Sequence, residues 1–271
     1  MIELFNYSFF VNAIISGTVL AIITAVLSFF IVLKGYSYYS VGISHISFAG
    51  VSLGLLMGFN PIITAMIFTI MAAFGIGNIT RKKNISEDSA IGIFFSSAMA
   101  LGIIFISMIE NYTVNAMSYL FGDILAISKF DIYIMLFFGV IIIFVIYSLF
   151  KYLLMYVFDE EYGKINDIPV GFLHYFLLIT MAVVIVLSIK AIGIVLVSAL
   201  LVIPGNSAYL LSKKYKKMMF LTIIISLFSV YTGIFGSYYL DIPSGAAIVV
   251  INAIIFGIVY FYKNVIKNQH S

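Results

Sequence analysis

Cysteine is absent from all 271 residues, so the chain has neither a disulfide nor a thiolate metal centre available to it. Tryptophan is absent as well, and proline occurs only four times. Charge is scarce: Asp, Glu, Lys and Arg supply 9% of the residues, against about 25% in a typical soluble domain. With 63% hydrophobic residues, too few polar side chains remain to coat a water-exposed globule. The net charge of +3 is no footprint of a nucleic-acid partner, and none is expected. Catalytic signatures are missing too: there is no G-x-x-x-x-G-K-[ST] loop, HExxH, CxxC or nucleophile elbow. The chain is therefore not expected to be an enzyme or to hold a permanent cofactor. If it serves an ATP-driven process, another chain hydrolyses the ATP. The first apolar stretch, Phe9 to Leu33, is too long for the core of a cleaved signal and follows no basic segment.

What fills the chain instead is long apolar runs. Roughly 17–25 such residues are needed to cross a bilayer as a helix. Nine runs qualify: Phe9–Leu33, Ser40–Met57, Pro61–Ile79, Asp88–Ile109, Ile132–Phe150, Phe172–Ile189, Ile192–Leu211, Phe220–Leu240 and Pro243–Tyr262. Met117–Ser128 is apolar but too short to span, and reads as an interfacial or re-entrant piece. The expected fold is an all-α, polytopic transmembrane bundle of about nine spans, one domain over residues 1–271, in the plasma (inner) membrane. With the N-terminus outside and the C-terminus inside, twelve cations face the cytoplasm: Lys34, Arg81, Lys82, Lys83, Lys151, Lys164, Lys213, Lys214, Lys216, Lys217, Lys263 and Lys267. Only Lys129 and Lys190 fall outside, the bias that sets orientation in membrane proteins.

Ionisable groups within a bilayer are costly, which marks the few present as functional candidates. His45 lies early in the second run, and Glu87 and Asp88 open the fourth, all three toward the cytoplasmic side. Gly42, His45, Ala49 and Ser52 share one helical face, and Asp88, Gly92, Ser96 and Ala100 form a ladder four residues apart. Small-residue faces let membrane helices approach closely, so both polar sets are expected to point into the bundle. An imidazole with two carboxylates, and Ser44 nearby, suits zinc, manganese or ferrous iron. Plainer roles stand beside this one. His45 can be a helix–helix hydrogen-bonding residue, Glu87 and Asp88 can offset the positive helix end after Ser86, and Asp123 can be a solvated interfacial acid. Pro204, followed by Gly205 and Asn206, frees a carbonyl inside the seventh run, as a kink or beside a polar pathway. Phe158–Pro169 (FDEEYGKINDIP) is the most polar segment. Asp159, Glu160 and Glu161 are placed to open a short amphipathic helix, either a solvated connection or a docking surface. His174 and His270 carry no pattern and read as an interfacial and a tail residue.

Several segments, in order along the chain, resemble the zinc/manganese/iron permease family of ABC importers. Gly42–Gly54 (GISHISFAGVSLG), Glu87–Ser97 (EDSAIGIFFSS), Leu120–Ser128 (LFGDILAIS), Gly193–Ala208 (GIVLVSALLVIPGNSA) and Ile242–Val249 (IPSGAAIV) are similar to that family's patterns. Phe158–Pro169, with Phe158, Asp159, Glu160, Glu161, Tyr162 and Gly163, is similar to its ATPase-docking loop. The resemblance implies a permease subunit importing a divalent transition-metal ion. It also implies cytoplasmic ATPase subunits, an extracytoplasmic metal-binding protein and a second copy of the permease. His45, Glu87 and Asp88 would meet the ion, with Ser44, Asp123 and Pro204 along the pathway or at a helix break. The sequence departs from the pattern where the family usually has Asp four residues before the histidine; here that residue is Val41. Two other readings stay open: an ABC permease for a metal chelate or vitamin, which needs no metal ligands, and an ion-coupled secondary carrier, which needs a buried midplane carboxylate.

Overall fold

A computed structural model describes residues 6–82, 85–109 and 119–269, with side chains described as far as Asn264. Helices α1 (Ser8–Lys34), α2 (Ser37–Met57), α3 (Pro61–Arg81) and α4 (Glu87–Ser107) come first. After a 3-10 turn at Ile124–Ala126 follow α5 (Lys129–Ser148), α6 (Phe150–Phe158) and α7 (Glu160–Ile165). The chain then runs through α8 (Val170–Ile192), α9 (Ile194–Leu211), α10 (Tyr215–Leu240) and α11 (Ser244–Gln269). Among the described residues, nine of these are long and apolar enough to span: all but α6 and α7. The expected runs and the observed helices agree to within three residues at each end, except that α10 starts five residues earlier and α11 ends seven residues later than expected. The short apolar stretch after residue 117 is not a span. Its described part, from Tyr119, contains the 3-10 turn and buries Ile124 and Ile127, while Met117 lies outside the described residues.

Helix ends follow local chemistry. Asn60 caps α3 by accepting from the Ile62 and Ile63 amides, with Pro61 at the first helical position where no donor is needed. Ser128 and Asp131 form a reciprocal capping box on α5. Gly35 and Gly58 close α1 and α2 in the left-handed conformation that glycine adopts at little cost.

Helices α1, α2 and α8 form the buried centre, while α3, α4 and α5 expose large parts of their surfaces. The open side of α5 carries Phe130, Tyr133, Phe137, Phe144 and Tyr147, an apolar surface suited to lipid. Within the bundle, hydroxyls of Ser16, Thr24, Thr69, Ser188 and Thr222 donate to carbonyls one turn back, so they enter the apolar interior with their donors satisfied.

The helix ends sort onto two faces. One holds the α1–α2 turn, Arg81, α6, α7 and the start of α8, and is rich in Lys and Arg. The opposite face holds residues 119–128, Lys190 and the start of α11. There three glycines from three segments meet. A Cβ on Gly122 would strike the Gly193 nitrogen and Ile192, one on Gly193 would strike Phe121 and Leu120, and one on Gly245 the Ile192 carbonyl. The Asp123 amide donates to the Lys190 carbonyl at 3.0 Å, and the Ile124 amide to Ser244 Oγ at 3.0 Å. This crossing anchors the break between α8 and α9.

Candidate functional site

Helix α2 packs mainly on α3 and α4. Gly42 lies against Ile91, with no room for a Cβ, and Gly102 of α4 lies over Phe48 and Ala49. His45 follows Gly42 by one turn and is half-buried. Its ring meets Phe95 edge-on, centroids 5.0 Å apart. Among the described residues neither ring nitrogen takes a hydrogen bond.

The α4 ladder departs from the sequence expectation. Helix α4 turns Ala90, Ile91, Ala98, Gly102 and Ile106 inward, whereas Asp88, Ser96 and Ala100 are exposed and Gly92 is half-buried. The nearest atom to a Cβ on Gly92 would be the Tyr38 hydroxyl, 3.9 Å away. The physical reason is burial: Ile91 and Ile106 contribute more apolar area to the α2 contact than the small residues would. The ladder therefore forms an open polar edge beside the helix that carries His45. Glu87 and Asp88 are exposed at the start of α4, where Ser86 Oγ accepts the Ser89 amide. Among the described residues no three His, Asp or Glu side chains gather as one ion-holding cluster.

The remaining pathway candidates have definite surroundings. Ser44 is fully buried and its hydroxyl donates to the Ser40 carbonyl at 2.7 Å. Asp123 is exposed on the opposite face, where its carboxylate accepts the Leu125 amide at 3.0 Å. It lines a cavity of about 600 Å³ together with Asp131 and Lys190, themselves paired at 2.6 Å. Pro204 sits inside a continuous helix rather than at a break. The next residue, Gly205, presses against Ser28 of α1, and its amide donates to Ser28 Oγ at 3.0 Å.

On the basic face, Asp159 caps α7 by accepting the Tyr162 amide at 2.8 Å. Gly163 is buried, while Phe158, Tyr162 and Ile165 point outward, Ile165 with 81% of its surface exposed. Glu160, the first residue of α7, pairs with Lys34 at 2.9 Å and Lys164 at 3.1 Å. Burial alone would raise its carboxyl, but these two ammonium groups outweigh burial and hold it below the usual glutamate value. Lys34 Nζ also lies 4.2 Å above the Tyr156 ring.

Behind this pair lies a cluster with no local sequence signal. The Tyr36 hydroxyl is 2.7 Å from both the Tyr156 hydroxyl and His174 Nδ1, and Tyr156 is 3.1 Å from the same nitrogen. His174, near the start of α8, is buried: the α1–α2 turn and α6 cover it. Burial pushes the Tyr36 and Tyr156 phenols well above their ordinary value, so both stay protonated. Residues 36, 156 and 174 are brought together only by tertiary folding. His270 and Lys83 lie outside the described residues.

A many-span helical bundle with one short amphipathic elbow on its basic face defines a multi-pass membrane protein. Over residues 6–263 the chain matches the ABC 3 transport family, and it belongs to that family. It is 37% identical over 259 residues to the manganese transport system membrane protein MntC of Listeria monocytogenes, covering 96% of this chain and 92% of that one. It is 31% identical over 264 residues to the chelated iron transport system membrane protein YfeD of Yersinia pestis, covering 97% and 88%. Among solved structures it is similar to PsaBC from Streptococcus pneumoniae in complex with Fab, at 34% identity and a TM-score of 0.85 over 95% of this chain and 92% of that one.

Proposed function

We propose that this chain is the membrane-spanning permease subunit of an ATP-driven importer of divalent transition-metal ions, manganese or iron foremost, working as a pair of copies. The observation that carries the reading is the open edge of α4, Asp88–Gly92–Ser96–Ala100, beside the helix that presents His45. Small polar residues left open on a spanning helix have two outlets, lipid or a protein-enclosed path, and lipid is the costly one. A second copy placed on this edge would line a path from both sides with His45, Glu87 and Asp88. Their mixed nitrogen and oxygen donors suit borderline divalent ions. Few ligands per chain, with Val41 offering none, keep the hold on the ion weak enough for release.

The driving energy would come from cytoplasmic ATPase subunits, since this sequence has no phosphate-binding loop of the G-x-x-x-x-G-K-[ST] type. Phe158, Tyr162 and Ile165, exposed on and beside α7, form the docking surface for them. An extracytoplasmic metal-binding protein would deliver the ion to the opposite face, above the cavity bordered by Asp123, Asp131 and Lys190. The relatives' names, manganese transport and chelated iron transport, support metal cargo over a vitamin and over a gradient-coupled carrier.

The test is uptake into proteoliposomes holding the permease, its ATPase and its binding protein. ATP-dependent accumulation of free manganese or ferrous ion, undiminished by excess metal chelate, is expected. Uptake of the chelate alone, or uptake that follows an imposed ion gradient without ATP, contradicts the reading.

A further inference from the structure

On the basic face, side-chain contacts from α6, α7 and α8 converge on one turn. Three consecutive residues, Lys34, Gly35 and Tyr36, join α1 to α2. Gly35 adopts a φ of +79°, and the Gly35 and Tyr36 amides close the turn on the Val32 and Ile31 carbonyls at 3.2 and 2.8 Å, so it is a short, backbone-bonded turn whose two flanking side chains reach other helices. Lys34 reaches Glu160 at the start of α7 and the Tyr156 ring of α6. Tyr36 reaches the Tyr156 hydroxyl and His174 of α8. Tyr36 also stands immediately before α2, nine residues ahead of His45, or about 13 Å along a helix.

We propose that Lys34, Tyr36, Tyr156 and His174 are positioning residues that carry movement of α7 to α2, and so set where His45 stands in the ion path. The inference rests on the permease reading above. Each tie has the property that a linkage needs. The Lys34–Glu160 pair joins the first residue of the docking helix to the last residue of α1. The Tyr36–Tyr156–His174 contacts are buried, so breaking one leaves a polar group without water, which makes the cluster move as a unit. The route from α7 through Glu160 and Lys34 and the route from α6 through Tyr156 and Tyr36 end on the same turn. A push on α7 thus has two connections to the three-residue turn that opens α2, one to its first residue and one to its last.

A structural role alone would show in stability and assembly, so the decisive readout is ions moved per ATP hydrolysed. The complex of permease, ATPase and binding protein is reconstituted with wild-type chain, Lys34→Met, Lys34→Arg, Tyr36→Phe or Tyr156→Phe, using manganese ion as the probe. In Lys34→Met and each Tyr→Phe variant the complex should assemble and hydrolyse ATP, while manganese moved per ATP falls about fivefold or more. Lys34→Arg, which keeps the ion pair, should stay within about twofold of wild type. Tyr36→Phe combined with Tyr156→Phe should be no worse than either alone, because both cut one connection. Unchanged ions per ATP in Lys34→Met and both tyrosine variants overturns the linkage, as does additive loss in the double variant. Wild-type complex that hydrolyses ATP while moving neither manganese nor ferrous ion overturns the permease reading itself, and the linkage falls with it.

Discussion

Gly193 and Gly122 meet backbone to backbone, each with a positive φ, at +89° and +67°. The contact ties the junction of α8 and α9 to the segment that precedes α5, and Gly245 of α11 closes over it. An alanine at either position suffers twice, from the backbone angle and from collision with main-chain atoms that cannot rotate away. Gly122→Ala and Gly193→Ala should each lower stability by about 3 kcal/mol or more. Thermal unfolding of the detergent-purified chain measures it. Gly257→Ala is the control, since a Cβ there would meet nothing and, inside a helix, should not lower the midpoint.

The open edge of α4 predicts contact between copies. Because the chain has no cysteine of its own, one introduced thiol reports without background. Ser96→Cys and Ala100→Cys should give cross-linked dimers in membranes with a short bismaleimide. Phe137→Cys, on the exposed apolar side of α5, should stay monomeric. Cross-linking at position 137 with none at 96 or 100 would move the second copy elsewhere.

Acid should release α7. Glu160 is held below its ordinary value by Lys34 and Lys164, so its contribution to stability is present above the unfolded carboxyl value and fades as pH falls through the depressed one. The difference in unfolding midpoint between wild type and Glu160→Gln should therefore be constant near neutrality and shrink below about pH 4. The pair is partly exposed, so the difference at neutral pH should be small, no more than about 1 kcal/mol, and smaller still in high salt. A gap that widens on acidification would mean Glu160 is not held by these lysines.

Most of the fold was legible because a bilayer imposes length and hydropathy directly: each spanning helix coincides with an apolar run. The amphipathic elbow was legible from Asp159, Glu160 and Glu161 at a helix start. Three things were not. The direction of the α4 ladder depended on competition between Ile91 and Gly92 for the α2 surface, which helical spacing cannot decide. Pro204 reads as a kink or as part of a pathway, and spacing does not show that Gly205 lets α9 lie close on Ser28 while the helix stays continuous. His174 carried no pattern because its partners, Tyr36 and Tyr156, are 138 and 18 residues away in sequence.

The central claim is that ions pass His45 and the open edge of α4. The most direct measurement is manganese uptake by the reconstituted complex with His45→Ala and Asp88→Asn, at equal assembly and with ATP hydrolysis monitored. Uptake at limiting manganese should fall about tenfold or more in His45→Ala, equivalent to ~1.4 kcal/mol of lost ion stabilisation, with a smaller fall in Asp88→Asn. Wild-type uptake in both variants would contradict the account.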